Sequence, residues 1–330
     1  MTDTTADLPR LPFCELHVHI EGTLEPATIF ELAAAKGITL PYADEAELAA
    51  RYDFSDLQSF LDLYYANMQV LQTDDDFFAL GAAYLRRASV AGVVHAEMFV
   101  DPQAHSVRGV SEAVVLGGLH RAIATVQAET GITASLIVCV LRDQPVESAE
   151  RMLDRVLETG LAVQGIGLDS AEVGHPPSSF RSVFERARAA GLHTVAHAGE
   201  EGPASYVWEA LDVLGVERVD HGNRALDDPA LIARLAADRI PLTLCPLSNV
   251  RLRVIPSIGD FPLRRMLDAG LLVTINSDDP AYFGGYLDDN LRAIRGTFDL
   301  GADELTLLAR NSVEASFLSA ARKRELLERR

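Results

Sequence analysis

Cysteine, positive charge and long apolar runs are all scarce in this 330-residue chain. Its three cysteines, Cys14, Cys139 and Cys245, are odd in number, far apart and set inside apolar runs. That pattern argues against a disulfide framework and reads as buried free thiols in a reducing compartment, with metal ligation or redox work as the alternative. Lysine and arginine together number 29 against 48 aspartates and glutamates, a formal net charge of -19. Phosphate backbones and anionic membranes carry the same sign, so neither nucleic acid nor a membrane surface is expected as a partner. No stretch approaches about eighteen uninterrupted apolar residues, and the opening MTDTTADLPRLP shows no basic segment leading into an apolar one. A cytoplasmic location is the expectation. Low-complexity segments and internal linkers are missing too, and oligomeric state leaves no signature.

What is present is a composition of 48% hydrophobic and 23% charged residues, enough to bury a large core. Apolar, β-branched runs recur, each followed by polar or glycine-rich punctuation and then a helical pattern: FCELHVHI (13–20), VVHAEMFV (93–100), ASLIVCVL (134–141), VQGIGLD (163–169), HTVAHAG (193–199), RVDHG (218–222), PLTLCP (241–246) and LVTINS (272–277). Amphipathic stretches at 178–190, 204–214, 229–237 and 262–269 lie between them, and Gly191, Gly215 and Gly270 are placed as left-handed helix caps. Eight strand-and-helix repeats favour a (β/α)8 barrel, with residues 1–330 forming one barrel domain.

One connection is too long for a simple βα unit. Roughly seventy residues separate the first two runs, and they hold helical patterns at 26–36, 57–71 and 75–91. The middle one carries an apolar stripe, Leu57, Phe60, Leu61, Tyr64 and Met68. The segment 24–91 therefore reads either as a core-facing helical insertion or as a lid over the strand ends. The last stretch, from Asp303 onward, reads as a helix ending in a solvated, frayed ARKRELLERR.

Residues suited to chemistry stand at the carboxyl ends of the expected strands, where barrels place their active sites. The first strand offers His17 and His19, which share a face because side chains repeat every second residue. The fifth offers His197 with Glu200 just beyond, the sixth His221, and the eighth Asp278 and Asp279. Three neutral imidazoles and a carboxylate can hold one Zn²⁺ with a position left for water, whose pKa the ion lowers from about 15.7 to roughly 7. His17, His19, His197 and Asp278 fit as ligands, against the alternative of hydrogen-bonded core histidines. Glu200 is placed to give a proton, with Glu201 the alternative acid; His221 is a base, an orienter of the water, or a structural histidine. His95, His105, His120, His175 and His193 lie off the pattern, although His175 could line a pocket.

The stretches ELHVHIEGTLEP, HAGEEGP, VDHGN, LCPLSN and NSDDPAYFGGY, in this order, resemble the adenosine and adenine deaminase family of the amidohydrolase superfamily, from about Leu11 to Phe317. The resemblance implies a barrel with one catalytic zinc that hydrolyses the 6-amino group from a purine. Matched position by position, it makes His17, His19, His197 and Asp278 the zinc ligands, Glu200 the proton donor, His221 the catalytic histidine and Asp279 the purine-binding carboxylate. Two positions depart from the nucleoside-acting members. Glu21 stands where they carry Asp, and Glu172 where they carry Gly. Both departures look more like the adenine-base deaminases, with Glu21 entering the space of the sugar and Glu172 accepting from the N9 proton. The alternatives are an adenosine deaminase, a deaminase of an N6-substituted purine, and a purine-binding zinc barrel without turnover. A metallohydrolase with two metals would want a bridging lysine after the fourth strand, and none occurs there.

Overall fold

The computed structural model describes residues 11–328. The eight runs become eight parallel strands: β1 (Phe13–His19), β2 (Val93–Val100), β3 (Thr133–Leu141), β4 (Gly165–Asp169), β5 (His193–Ala198), β6 (Arg218–His221), β7 (Leu242–Leu244) and β8 (Val273–Ile275). They pair in chain order from β1 to β8. Closure comes from a single bridge between Val18 and Asp278. There the His19 N–H donates to the Asp278 carbonyl at 2.9 Å and the Asp278 N–H to the His17 carbonyl at 3.1 Å. The sheet is thus a (β/α)8 barrel whose seam is made by the backbone of candidate site residues.

The long first connection contains four helices where three patterns were expected: α1 (Pro26–Lys36), α2 (Glu45–Ala50), α3 (Leu57–Asn67) and α4 (Asp74–Val90). The extra one, α2, is a six-residue helix fixed by Asp44, whose carboxylate accepts from the Glu47 N–H. Helix α3 opens on a capping box between Asp56 and Ser59 and gives way at Met68 to a tight 3-10 turn, so the expected 57–71 helix is shorter. Helix α4 packs on β2 and on the helix Glu112–Thr130, as the first outer helix of a barrel does. The apolar stripe of α3 is buried, with the Phe60 ring tilted by 51° against Phe283 at 4.6 Å between centroids across the barrel mouth.

Two expectations at the C-terminus need correction. The stretch from Asp303 is not one helix but two, Ala302–Ala315 and Ala320–Glu328, and the second keeps a solvated charged face but is docked through Leu326, buried against Cys14, Leu16 and Val313, while the last two residues of the expected frayed tail lie outside the described residues. The break exists because Phe317 plugs the amino-terminal mouth. Its N–H donates to Glu97 at 2.5 Å, and its ring lies 4.1 Å from His193 and 4.6 Å under the Arg218 guanidinium. Arg218 in turn reaches Glu97 at 2.5 Å inside the barrel, with both side chains fully buried.

Along β2 the alternate residues Glu97, Phe99 and Asp101 share a face, stepping from this buried ion pair through an apolar layer to the carboxyl-end cavity. Cys14, Cys139 and Cys245 are buried free thiols. Among the described residues, no helix is long and apolar enough to cross a membrane.

Candidate active site

His17 and His19 leave the end of β1 on one face and meet Asp278 and His197 there. His17 Nε2 lies 3.1 Å and His19 Nε2 3.5 Å from Asp278 Oδ1, while His19 and His197 approach Nε2 to Nε2 at 3.2 Å. The far nitrogens of two rings are spoken for. His197 Nδ1 donates to the Leu168 carbonyl at 3.1 Å. His17 Nδ1 lies 2.9 Å from the Thr243 hydroxyl, whose own proton goes to Asp220 at 2.7 Å, so the imidazole is the donor. Both neutral tautomers therefore leave Nε2 bare and facing the cluster, the arrangement that supporting hydrogen bonds give to metal-binding histidines.

His17, His197, His221 and Asp278 also bring ligand atoms within 4.8 Å of one another, so His221 stands as a further donor around the same point. Burial, opposed by Asp278 and reinforced for both by the neighbouring imidazoles, holds His19 near 4 and His221 near 3, which keeps both neutral at pH 7. Burial disfavours the Asp278 carboxylate, but His17, His221 and His19 outweigh it and hold it well below its usual range. His197 is likewise held well below the ordinary imidazole range by burial, whereas at His17 burial is outweighed by Asp278 and Asp220, which draw the value up, so His17 carries the proton that a cation bound beside Asp278 would displace. Three neutral imidazoles, this exchangeable one and an ionised carboxylate fit one divalent metal ion.

Three of the six non-glycine residues with positive φ among the described residues stand on the same rim. Ser170, His221 and Asp278 take positive φ of 70°, 61° and 65°, a region that costs non-glycine residues on the order of 1–3 kcal/mol. The glycine of HIEG has a steric reason to be one. A Cβ on Gly22 would stand 2.0 Å from Asp279 Oδ1 and 2.7 Å from its Cα.

Glu200 enters from the turn after β5. It is 4% exposed, and burial followed by Asp278, Glu172 and Glu201 pushes its carboxyl well up, toward a neutral acid. Its Oε2 lies 3.5 Å from His221 Nε2. Asn249, in the LCPLSN stretch after β7, donates to Glu200 Oε1 over 3.3 Å and stands 3.3 Å from His221 Nδ1. Asn249 carries no signal in its residue type, although it lies beyond a strand end as the other site residues do. Glu200 lines the cavity and Glu201 does not, which separates the two candidate acids. Asp279 also lines it, with a buried Oδ1 that has no partner.

The two glutamates expected to face the substrate are turned elsewhere. Glu21 is fully buried, and its Oε1 accepts from the Asp101 N–H at 3.1 Å and meets His105 Nε2 at 2.8 Å. Glu172 accepts four backbone N–H groups, from Gly199 at 2.6 Å, Glu200 at 3.0 Å, Glu201 at 2.9 Å and Gly202 at 2.8 Å. Neither lines the cavity. A carboxylate that already satisfies so many buried donors cannot swing into a pocket without orphaning them. His175 is likewise engaged, its Nδ1 donating to the Ala171 carbonyl at 2.9 Å. The acids that do line the cavity from this side are Asp101 and Asp169, at the ends of β2 and β4. Burial and neighbouring acids push Asp101 well up, and Asp169 to about 7.

Comparison with known proteins agrees with this geometry. The family model described as Adenosine deaminase matches residues 12–329. The adenine deaminase of Streptomyces coelicolor is 59% identical over 94% of this chain and 92% of its own length. The crystal structure of an adenine deaminase from Arthrobacter aurescens superposes with a TM-score of 0.95 at 54% identity, covering 96% of this chain and 97% of that one. An amidohydrolase structure from Burkhoderia ambifaria, with bound Zn, gives a TM-score of 0.89 at 29% identity over 98% of this chain and 92% of that one.

Proposed function

Because the chain belongs to the adenosine deaminase family and is a hydrolase of C–N bonds in cyclic amidines, we propose that its substrate is adenine, which it converts with one water to hypoxanthine and ammonia. The names of relatives at 54% and 59% identity support that substrate. The observation that carries the chemistry is Glu200, a buried carboxyl kept neutral and held by Asn249 beside His221. A neutral acid at that point can give a proton to a ring nitrogen, which a free carboxylate cannot.

His17, His19, His197 and Asp278 would hold one Zn²⁺, which when bound acidifies a water enough to make it a nucleophile near neutral pH. Glu200 protonates N1 of the purine, and loss of ring aromaticity makes C6 electrophilic. His221 and Asp278 hold the attacking water and take its proton as the C6–O bond forms. The amino nitrogen then takes that proton and leaves with the C6–N electron pair as ammonia, while the C6 hydroxyl gives its proton to the Glu200 carboxylate and becomes the carbonyl of hypoxanthine. Asp279 hydrogen-bonds N7 and fixes the ring's orientation, which is worth much of the barrier when it holds the reacting atoms near contact distance. Helix α3 supplies Leu57, Phe60, Leu61 and Tyr64 to the cavity wall, and we read residues 24–91 as a lid on a single barrel domain that excludes water during the reaction. The buried free thiols support a reducing, cytoplasmic setting.

The test is kcat/KM of the zinc-loaded protein on adenine, adenosine and N6-substituted adenines. Adenine is expected to lead by orders of magnitude. Equal values, or a lead for adenosine or an N6-substituted base, would overturn the assignment.

A further inference from the structure

Asp101 is 1% exposed and lines the cavity, yet its Oδ1 has no hydrogen-bond partner. Its backbone is fixed on both sides, by Glu21 on its N–H and by the Ala104 N–H on its carbonyl. Tyr64 OH, from α3, is a second buried and unpartnered group on the same wall, and Asp169 Oδ1 a third. Buried polar atoms without partners are rare because each costs its full desolvation penalty, so these three, with Asp279 Oδ1 as a fourth around the same cavity, await a ligand with polar edges.

The strand order says which edge each would meet, given the reading that the substrate is a free purine base. Going round the barrel from Glu200 after β5 through β4 and β2 to Asp279 after β8, the cavity residues met are Asp169 with Ser170, then Asp101, then His19. Going round a purine from N1 to N7 on the side away from C6, the ring nitrogens met are N3 and then N9. With N1 at Glu200 and N7 at Asp279, N9 falls to β2. Asp169 Oδ2 lies 3.6 Å from the His19 ring, and a carboxyl oxygen of Asp101 lies within 4.8 Å of both groups, so it is the strand order that gives N9 to Asp101 and N3 to Asp169.

We propose that the Asp101 carboxyl accepts the N9–H of the bound base, which makes Asp101 the residue that selects a free base over a nucleoside. A free base has that proton and a nucleoside has a sugar in its place. Binding a nucleoside would leave the acceptor buried and unpaired and would drive the sugar into the β2 end of the wall. Sites built on a substrate N–H reject analogues that lack it by roughly 10⁴. Glu21, expected to meet the sugar directly, acts in this account through the Asp101 backbone.

The experiment compares adenine with 9-methyladenine, which deletes the proton at the cost of one methyl group. It measures kcat/KM and, independently of turnover, the Kd of hypoxanthine and 9-methylhypoxanthine by calorimetry. The wild type should prefer the N9–H member of each pair. Asp101→Ala should weaken only that member, narrowing both ratios by about 2- to 10-fold, the worth of a hydrogen bond between neutral groups. Asp101→Asn keeps the volume and a weaker acceptor and should fall between, which preserves the test if the alanine variant does not fold. An equal loss on both members, or a wild type indifferent to N9 methylation, overturns the inference while leaving adenine deamination standing. No turnover of adenine by the wild type overturns both.

Discussion

Replacing Glu172 by alanine distinguishes a substrate-reading residue from one that builds the turn carrying the acid. The variant orphans four backbone N–H groups that now donate over 2.6–3.0 Å. Taken singly, hydrogen bonds to a charged acceptor contribute about 1.5–3 kcal/mol each. Three of these converge on one oxygen, so they do not add, and the loss is better set near 3–5 kcal/mol, as for one partner removed from a buried charged pair. At a urea slope of about 3 kcal/mol per molar, the unfolding midpoint should fall by roughly 1–1.7 M. Activity should fall with it, because the unsupported Gly199–Gly202 turn carries Glu200 and a displacement of about 1 Å costs on the order of 10² in rate. That loss should appear in kcat alike for adenine and for any slower purine. Gly202→Ala, whose Cβ would stand 2.6 Å from Glu172 Oε1, should give a milder copy of both effects. A Glu172→Ala protein with an unchanged midpoint and an altered ratio of adenine to adenosine would refute the reasoning and return Glu172 to the pocket.

Glu200→Gln should retain one equivalent of zinc and bind purine, yet lose about 10² to 10⁴ in kcat, the usual share of general acid catalysis; loss of metal from that variant would remove it as proton donor. His17→Ala and Asp278→Asn should lose metal and activity together, as read by metal analysis of protein purified without chelator, and full activity without metal would contradict the ligand set. Beneath the site, burial pushes the Glu97 carboxyl up, but Arg218 and His95 override it and bring it down to about 2. Because the folded value is depressed, the stability it contributes is present above the ordinary 4.5 and is lost as pH falls through the range toward 2. The gap in urea stability between wild type and Glu97→Gln should therefore be constant from pH 7 to 5 and shrink below about 4.5; a gap that widens on acidification would reverse the sign.

The strands were legible because a parallel barrel buries both faces, so most read as apolar runs rich in β-branched residues with their turn chemistry attached. The expected 93–100 run is β2 to the residue, while 241–246 shrinks to Leu242–Leu244 because periodicity cannot say where pairing stops. Helix α2 escaped notice because six residues carry too little period. The residues brought to the cavity were those whose chemistry is out of place at a strand end: a histidine there, or a doubled Asp in SDDP, has no ordinary structural work. Asp101 and Asp169 were passed over because Asp before Pro or Ser looks like a turn. Glu21 and Glu172 were placed in the cavity because sequence gives a charge its position along the chain and not its direction. Both side chains point at backbone N–H groups that only the folded turns bring together. The Phe317 break was invisible for the same reason, since its cause is a carboxylate 220 residues away.

The seam of the barrel and the metal cluster are one structure, and this bears on how the site is held. The two backbone bonds that join β1 to the end of β8 run between His17, His19 and Asp278, all proposed ligands. Asp278 makes them at φ 65°, outside the strand conformation, so its carboxylate is turned inward by the same backbone geometry that closes the sheet. Relaxing that dihedral would break the seam, and opening the seam would swing the carboxylate off the imidazoles. An ion bound by His17, His19 and Asp278 would bridge the first and last strands with side-chain bonds where the backbone offers just two. Binding free energy at such a point is also folding free energy, because no preformed site exists in the open chain. The buried cluster, costly by itself in desolvated carboxylate and strained backbone, is then stabilised by the ligand it is shaped to hold.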